Sequence, residues 1–148
     1  SNLLNNAFKF TFIRNPFDWV VSLYEFIRNN PTHENYEEVK DMDFKEFCIW
    51  NVNAIKDNKT NTNGKLNTLS GFLLDDDGRL LVDFVGRLEN IEEDFKTIAK
   101  RLNIPEINIL KINESERKKD YREYYDEESK AIVAEGFYHD LVNFNYTF

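Results

Sequence analysis

A chain of 148 residues, of which 41% are hydrophobic, is long enough to bury one apolar core, and we expect a single domain over 1–148. Its net charge of -8 argues against non-specific binding to nucleic acid or to an anionic membrane, because both require a broad cationic surface. No apolar run approaches the roughly 18 residues of a membrane span, so the chain as given is expected to be soluble. The single cysteine, Cys48, cannot form an internal disulfide, and its apolar neighbours predict a buried, inert thiol.

The first predicted elements are a strand and a helix that follow each other directly. Residues 8–13, "FKFTFI", alternate phenylalanine with polar residues, which predicts a half-buried strand. Asn15 and Pro16 then supply a helix cap and a favoured first helical residue. Apolar residues at three- and four-residue spacing predict a helix that runs to about Asn29. Its buried stripe is expected to consist of Phe17, Val20, Val21, Tyr24 and Ile27.

The middle of the chain alternates polar segments with a second helix and a strand pair. Residues 29–38 break the first helix, and Asp43 as a cap with an apolar stripe after it predicts the second over 43–54. The polar residues 57–67 predict an exposed loop. Residues 72–74 and 80–85 flank an Asp-Gly turn, which predicts a hairpin or a pair of strands.

Two further helices and a strand are predicted in the last third of the chain. Asn90 and Glu93 have the spacing of a capping box, and they open a helix with an acidic first turn and a basic last turn. Residues 107–112 have the pattern of a short strand. Asp126 opens a terminal helix that closes near Asn143. Strands interleaved with helices favour an α/β layered fold.

The stretch "FTFIRNPFDWVVSLYEF" places a charged residue, Arg14, at the junction of the first strand and helix. In α/β folds, the carboxyl ends of strands and the N-termini of helices face the ligand crevice. A guanidinium donates two parallel hydrogen bonds to a phosphate, and Ser22 in the next helix offers a third donor. The pattern therefore indicates a phosphate clamp. The alternative is that Arg14 pairs with Asp18 and that Ser22 is a solvated helix residue.

Three stretches of the sequence resemble the superfamily of sulfotransferases that use 3′-phosphoadenosine 5′-phosphosulfate (PAPS), in particular its carbohydrate-type branch. Residues 10–26 resemble the 3′-phosphate-binding signature, in which a strand delivers Arg-Asn-Pro and a serine follows in the helix. Residues 81–104 resemble the strand, Gly-Arg-x-Glu-Asn turn and helix of those enzymes. Residues 113–148 resemble their closing segment with its paired tyrosines and terminal aromatic residue. The three stretches occur in the family's order, and the first is a specific ligand motif.

This resemblance implies a fold, a cofactor and a set of binding residues. The fold is expected to be the three-layer, P-loop-like α/β fold of the family, and the cofactor PAPS or its product adenosine 3′,5′-bisphosphate (PAP), with no metal. Arg14 and Ser22 are implied to hold the 3′-phosphate. Arg117 and Lys118, in a basic cluster completed by Lys119, occupy the place where relatives bring a late loop back toward the nucleotide. The alternative is a solvated basic patch.

The sequence departs from the family pattern at the other end of the cofactor. Relatives hold the 5′-phosphosulfate with a strand, a Lys- and Gly-containing loop and a helix, and no such stretch occurs here. We expect that element upstream of Ser1, so the fold is expected to be incomplete at its N-terminus and this chain alone inactive. No catalytic base is assigned, because His33 and His139 have the sequence context of surface residues.

The predicted function is transfer of sulfate to a hydroxyl of a carbohydrate or other small acceptor when the protein is complete. The alternative is a non-catalytic nucleotide-binding or interaction fragment of the same fold, and a P-loop kinase relative is disfavoured because it needs the same absent loop. Acceptor determinants are expected in the variable residues 30–42 and 56–70. The sequence leaves open the oligomeric state and the compartment, which would be cytoplasmic in a bacterium or the Golgi lumen behind a lost anchor.

Overall fold

The computed structural model describes residues 7–57, 68–105 and 119–148. Two strands and seven α-helices occur in these ranges, with short 3₁₀ turns at Leu88–Asn90 and Tyr121–Tyr124. In chain order, the strands and α-helices are β1 (Phe10–Ile13), α1 (Pro16–Arg28), α2 (Tyr36–Val39), α3 (Phe44–Asp57), α4 (Leu69–Leu73), β2 (Phe84–Arg87), α5 (Ile91–Leu102), α6 (Glu127–Gly136) and α7 (Tyr138–Asn143). The helices with a small parallel sheet confirm the α/β class at this coarse level.

The described residues divide into two compact units. The first unit comprises 7–14 and 73–105, and the second comprises 15–57, 68–72 and 119–148. Each unit is described by itself below. The single domain expected over 1–148 remains a prediction.

The first unit is built on a parallel pair of strands. The register pairs Phe10 with Phe84 and Ile13 with Arg87, so both strands end at the same edge of the sheet. Helix α5 follows β2 and buries Ile98 and Ala99. Both strands continue directly into a turn and a helix, which is the arrangement that parallel α/β folds use to build a ligand edge.

The second unit contains an aromatic-rich helical core. Helix α1 buries the five residues that its sequence periodicity predicts, and α3 contributes Phe47 and Cys48, each 0% exposed. Helix α6 packs against α3 so closely that a Cβ on Gly136 would lie 2.5 Å from Cγ2 of Val52. The members of this core are Phe17, Val20, Tyr24, Ile27, Val39, Phe47, Cys48, Val52, Val133 and Phe137.

The predicted caps of three helices have different outcomes. Asp43 opens α3, because its Oδ1 accepts a hydrogen bond from the backbone N–H of Glu46 at 2.8 Å. Asp126 opens α6 in the same way through Ser129. The capping box predicted for α5 is wrong, since Asn90 makes no side-chain cap. Instead Asp94 reaches back and accepts from the backbone N–H of Arg87 at 2.6 Å.

Several predicted bounds are also corrected by the structure. The strand expected at 72–74 overlaps the end of helix α4, and only an isolated bridge between Leu74 and Leu80 remains of the hairpin. The second strand begins at Phe84 rather than at residue 80. The terminal helix is interrupted at Phe137, where the chain passes from α6 to α7. The loop expected at 57–67 begins one residue too early, because Asp57 ends α3. The rest of that loop, 58–67, and the strand expected at 107–112 lie outside the described residues.

Candidate functional site

The candidate site begins at the turn that enters α1. Asn15 is 8% exposed, and its Oδ1 accepts a hydrogen bond from the backbone N–H of Phe17 at 3.1 Å. Its backbone carbonyl accepts from the N–H of Trp19 at 2.9 Å. Pro16 is the first helical residue and has no N–H to satisfy. The predicted cap and first residue of α1 are therefore confirmed.

The closing segment of the chain holds this turn in place. The Nδ2 of Asn15 donates to the carbonyl of Thr147 at 2.8 Å, and the hydroxyl of Tyr125 donates to the carbonyl of Phe17 at 2.8 Å. The ring of Phe148 meets the ring of Phe17 edge-on, with centroids 5.0 Å apart. Burial raises the pKa of Tyr125, so its hydroxyl stays protonated and remains a donor at any physiological pH. The start of α1 is consequently fixed by residues more than 100 positions away in sequence.

Ser22 lies two turns into α1 on a half-exposed face of the helix. Trp19 and Phe26, which are 39% and 56% exposed, share that face, since they lie three residues before and four residues after it. Ser22 is half-buried, and among the described residues its hydroxyl has no hydrogen-bond partner. A polar group in this state is available to a ligand without loss of an existing bond.

Arg14 follows the last residue of β1 and is half-buried. It therefore stands one residue beyond Ile13, whose register partner in β2 is Arg87. Arg14 belongs to the first unit and Ser22 to the second, so each is placed within its own unit. Arg117 and Lys118, the other two predicted cofactor-binding residues, lie outside the described residues.

A comparison with known protein families decides the assignment. The profile described as "Sulfotransferase family" matches residues 1–147. The chain belongs to the sulfotransferase family. Membership confirms the superfamily that the Arg-Asn-Pro stretch predicts, and it supports a sulfotransferase-like function with a hydroxyl-bearing acceptor and PAPS as the sulfate donor that the family implies.

The chain is also similar to a curated relative, an uncharacterized protein of Archaeoglobus fulgidus. The two sequences are 27% identical over 113 residues, which cover 75% of this chain and 80% of the relative. No solved structure matches the chain. The name of the relative does not indicate which acceptor is used.

The cysteine and the two histidines of this chain are the other candidates for a reactive side chain. Cys48 is 0% exposed, and burial, together with the nearby Asp126 and Asp43, raises the pKa of its thiol to about 12, so the inert thiol that the sequence predicts is observed. Nδ1 of His33 accepts a hydrogen bond from the backbone N–H of Asn35 at 3.1 Å, which stabilises a turn. His139 is exposed, with its ring against Tyr138. Among the described residues, neither histidine contacts a side chain that would make it a catalytic base.

The described ranges contain neither a membrane-spanning helix nor a cluster of metal ligands. None of the helices there is long and apolar enough to cross a membrane. Within the same ranges, no three side chains of the metal-ligating types come together as a cation site.

Sequence reasoning missed the residues that support the candidate site rather than the residues that form its motif. Asn15 was expected to cap α1, but its second bond to Thr147 was not expected. Tyr125 belongs to the paired tyrosines of the closing segment, and the sequence predicts no role for its hydroxyl. Both contacts join positions more than 100 residues apart, and no local pattern in the sequence encodes such a pairing.

Proposed function

We propose that this chain binds the 3′-phosphate end of PAPS or PAP through Arg14 and Ser22, and that the complete protein transfers sulfate to a hydroxyl of a carbohydrate or small acceptor. The observation that carries the proposal is the strand-to-helix turn of Arg14, Asn15 and Pro16, followed by the unpaired hydroxyl of Ser22, in a chain that belongs to the sulfotransferase family. A three-layer, P-loop-like arrangement and contacts from Arg117 and Lys118 are part of the same proposal.

The state of the helix N-terminus explains why side chains would bind the phosphate. Pro16 lacks an N–H, and the N–H of Phe17 already donates to Asn15. The first turn also contains the carboxylate of Asp18, which opposes an anion at this end of the helix. The amide donors that usually attract phosphate to a helix N-terminus are therefore largely used. Recognition depends on the guanidinium of Arg14 and the hydroxyl of Ser22, whose donor chemistry fits a phosphate dianion.

When bound, PAPS supplies the sulfuryl group, and the residues of this chain bind and orient its nucleotide. A guanidinium offers two parallel donors to a phosphate, and a serine hydroxyl adds a third from another direction. Asn15, hydrogen-bonded to Thr147 and capping α1, keeps the start of the helix that contains Ser22 in one conformation. A ligand lacking the 3′-phosphate offers no acceptor to these two side chains, so the site distinguishes PAP from adenosine 5′-monophosphate.

Calorimetry with PAP and with adenosine 5′-monophosphate tests this proposal. We expect heat with PAP and much less with the monophosphate. Since hydrogen bonds to charged groups contribute about 1.5–3 kcal/mol, Arg14→Ala should weaken PAP binding by about 100-fold and Ser22→Ala by about 10-fold. Arg79→Ala is the matched control, because that side chain is 76% exposed and pairs with Asp77 on the surface. Absence of heat with millimolar PAP, or unchanged affinity in Arg14→Ala, contradicts the proposal.

A second variant separates the phosphate clamp from a simple ion pair. If Arg14 only neutralises Asp18 and does not bind phosphate, the PAP affinity of Asp18→Asn equals that of the wild type. If Arg14 binds phosphate, the same substitution removes a repelling carboxylate from the first turn of α1 and tightens PAP binding by about 2- to 5-fold. Loss of binding in Asp18→Asn would argue for the ion pair as a structural element.

Transfer of labelled sulfate from PAPS to a panel of sugars and phenols distinguishes an enzyme from a non-catalytic nucleotide-binding fragment. The assay is performed on the chain described here and on any longer form of the protein. Turnover that is lost in Arg14→Ala supports the enzymatic function. PAP binding without turnover in either form favours the non-catalytic alternative.

A further inference from the structure

Asp140 is a buried residue of α7 in the second unit, and its carboxylate contacts the start of the short helix α4. It is 1% exposed. Its Oδ2 accepts a hydrogen bond from the backbone N–H of Leu69 at 2.9 Å, and its Oδ1 accepts from the N–H of Ser70 at 2.7 Å. Burying a charged carboxylate is costly unless hydrogen bonds replace its water, and here two backbone amides do so. The carboxylate is therefore committed to α4.

Helix α4 has little other support. It has five residues, none of them buried, and Phe72 is 56% exposed. A helix this short does not form by itself in water, because the cost of nucleation is not recovered over so few residues. The two amides that Asp140 binds are the first two of the helix, which have no partner inside it. Asp140 consequently caps α4 from another helix.

Two further hydrogen bonds at this end of α4 are longer. Oγ1 of Thr68 accepts from the N–H of Gly71 at 3.2 Å, and Nδ2 of Asn143 donates to Oγ of Ser70 at 3.1 Å. Asn143 lies three residues after Asp140, so both side chains come from the same face of α7. Helix α7 thus holds α4 by polar contacts, whereas α1, α3 and α6 are held by an apolar core.

We propose that Asp140 is a latch for α4. With the carboxylate in place, α4 is helical and docked on α7. When that carboxylate is replaced, α4 detaches and unwinds as a local unit while the core of the second unit stays folded. Detachment frees the apolar sequence Leu-Ser-Gly-Phe-Leu. The latch is independent of phosphate binding at Arg14 and Ser22.

Native-state amide hydrogen exchange of the whole chain tests the latch. In Asp140→Asn the side chain keeps its shape but faces one N–H with its own NH₂ group, so both bonds cannot persist. We expect exchange at Leu69, Ser70 and Phe72 to rise by about 10- to 100-fold, the factor that corresponds to losing one hydrogen bond to a charged group. Exchange at Phe47 and Val133 in the core should not change.

Asp94→Asn is the matched control, because Asp94 accepts from the N–H of Arg87 in the first unit. It should raise exchange near Arg87 and leave α4 unchanged. Leu69→Pro provides a second route if Asp140→Asn does not fold, since it removes one of the two donors at a position where proline is favoured. It should raise exchange at Ser70 and Phe72 without altering α7.

Two results would overturn the latch. One is equal exchange at Ser70 and Phe72 in the wild type and in both α4-directed variants, which would mean that the carboxylate does not hold the helix. The other is a uniform rise across α4 and the core, which would mean that α4 has no local opening and that Asp140 supports the whole unit.

Discussion

The two units differ in what holds them together. In the second unit, helices α1, α3 and α6 enclose ten buried residues in one continuous apolar cluster. In the described part of the first unit, the buried apolar side chains are Ile13, Ile98 and Ala99, and the strands are joined mainly by backbone hydrogen bonds. Apolar burial is the larger source of stability, so we expect the second unit to resist unfolding more strongly.

This difference assigns distinct properties to the two proposed phosphate contacts. Ser22 is on a helix whose opposite face is fully packed, so its position is fixed by the core. Arg14 follows a four-residue strand, and the sheet has two strands within the described residues, an arrangement that is marginal without further packing. Substitutions in the buried core of the second unit should therefore act on folding, whereas substitutions of Arg14 and Ser22 should act mainly on binding.

The largest expected effect is that of removing an aromatic ring from the helical core. Phe47 is 0% exposed and packs against Tyr24 and Trp50, with ring centroids 5.1 Å and 5.5 Å away. Phe47→Ala should lower the free energy of unfolding by about 3–5 kcal/mol, measured by urea denaturation. Ile49→Ala on the same helix, where Ile49 is 45% exposed, is the control and should change it by less than about 1 kcal/mol. Similar losses in the two variants would mean that α3 is not packed as described.

Two glycines in close contact with a neighbouring side chain give a matched test of how rigid each unit is. A Cβ on Gly136 would lie 2.5 Å from Cγ2 of Val52 in the second unit, and a Cβ on Gly86 would lie 2.6 Å from Cε1 of Phe12 in the first. Val52 is 5% exposed and cannot move aside, whereas Phe12 is half-exposed and can rotate. Gly136→Ala should therefore cost about 1–3 kcal/mol of unfolding free energy and Gly86→Ala less.

The double variant Gly136→Ala with Val52→Ala checks the cause of that cost. Removing the two γ-methyl groups creates room for the new Cβ, so the two substitutions should cost less together than the sum of each alone. Additive losses would show that the contact with Val52 is not what limits residue 136.

A smaller effect is expected where the closing segment meets the start of α1. Tyr125→Phe removes the hydrogen bond to the carbonyl of Phe17 and keeps the ring contacts with Phe17 and Phe148. The free energy of unfolding should fall by about 0.5–1.5 kcal/mol. PAP affinity measured in the same variant sharpens the comparison: a loss larger than Ser22→Ala produces would mean that the closing segment positions the ligand contacts as well as the fold.

Patterns within a few residues of sequence predicted β1, α1 and the family. The phenylalanine alternation before Arg14, and Asn15 with Pro16 after it, each act within four residues, and β1 and α1 follow as expected. The Arg-Asn-Pro stretch also predicted the family, which the profile match confirms. The α/β class is confirmed as a mixture of helices with a small parallel sheet.

Distant contacts decide what the sequence did not predict. Residues 72–74 have the apolar content of a strand, but Asp140, about 70 positions away, caps them into helix α4. Asn90 and Glu93 have the spacing of a capping box, yet Asp94 satisfies the nearby N–H from β2 instead. A pattern read along the chain contains no information on which carboxylate will be brought to a helix end by tertiary packing.

The smallest expected effect is a pH dependence at the start of α6. Oδ1 of Asp126 accepts hydrogen bonds from the N–H and the hydroxyl of Ser129, both at 2.7 Å, and these bonds lower the pKa of the carboxyl below its ordinary value of 3.8. A carboxyl whose pKa is lower in the folded than in the unfolded state stabilises the fold above the unfolded pKa, and that stabilisation is lost as the pH falls through the folded pKa. The helical unit should therefore lose stability as the pH falls below about 4. Asparagine caps a helix as well as aspartate does but does not titrate, so Asp126→Asn should unfold like the wild type at neutral pH and show a shallower loss in acid. Parallel curves for the two proteins would place the acid sensitivity elsewhere, with the sparse packing of the first unit as the next place to test.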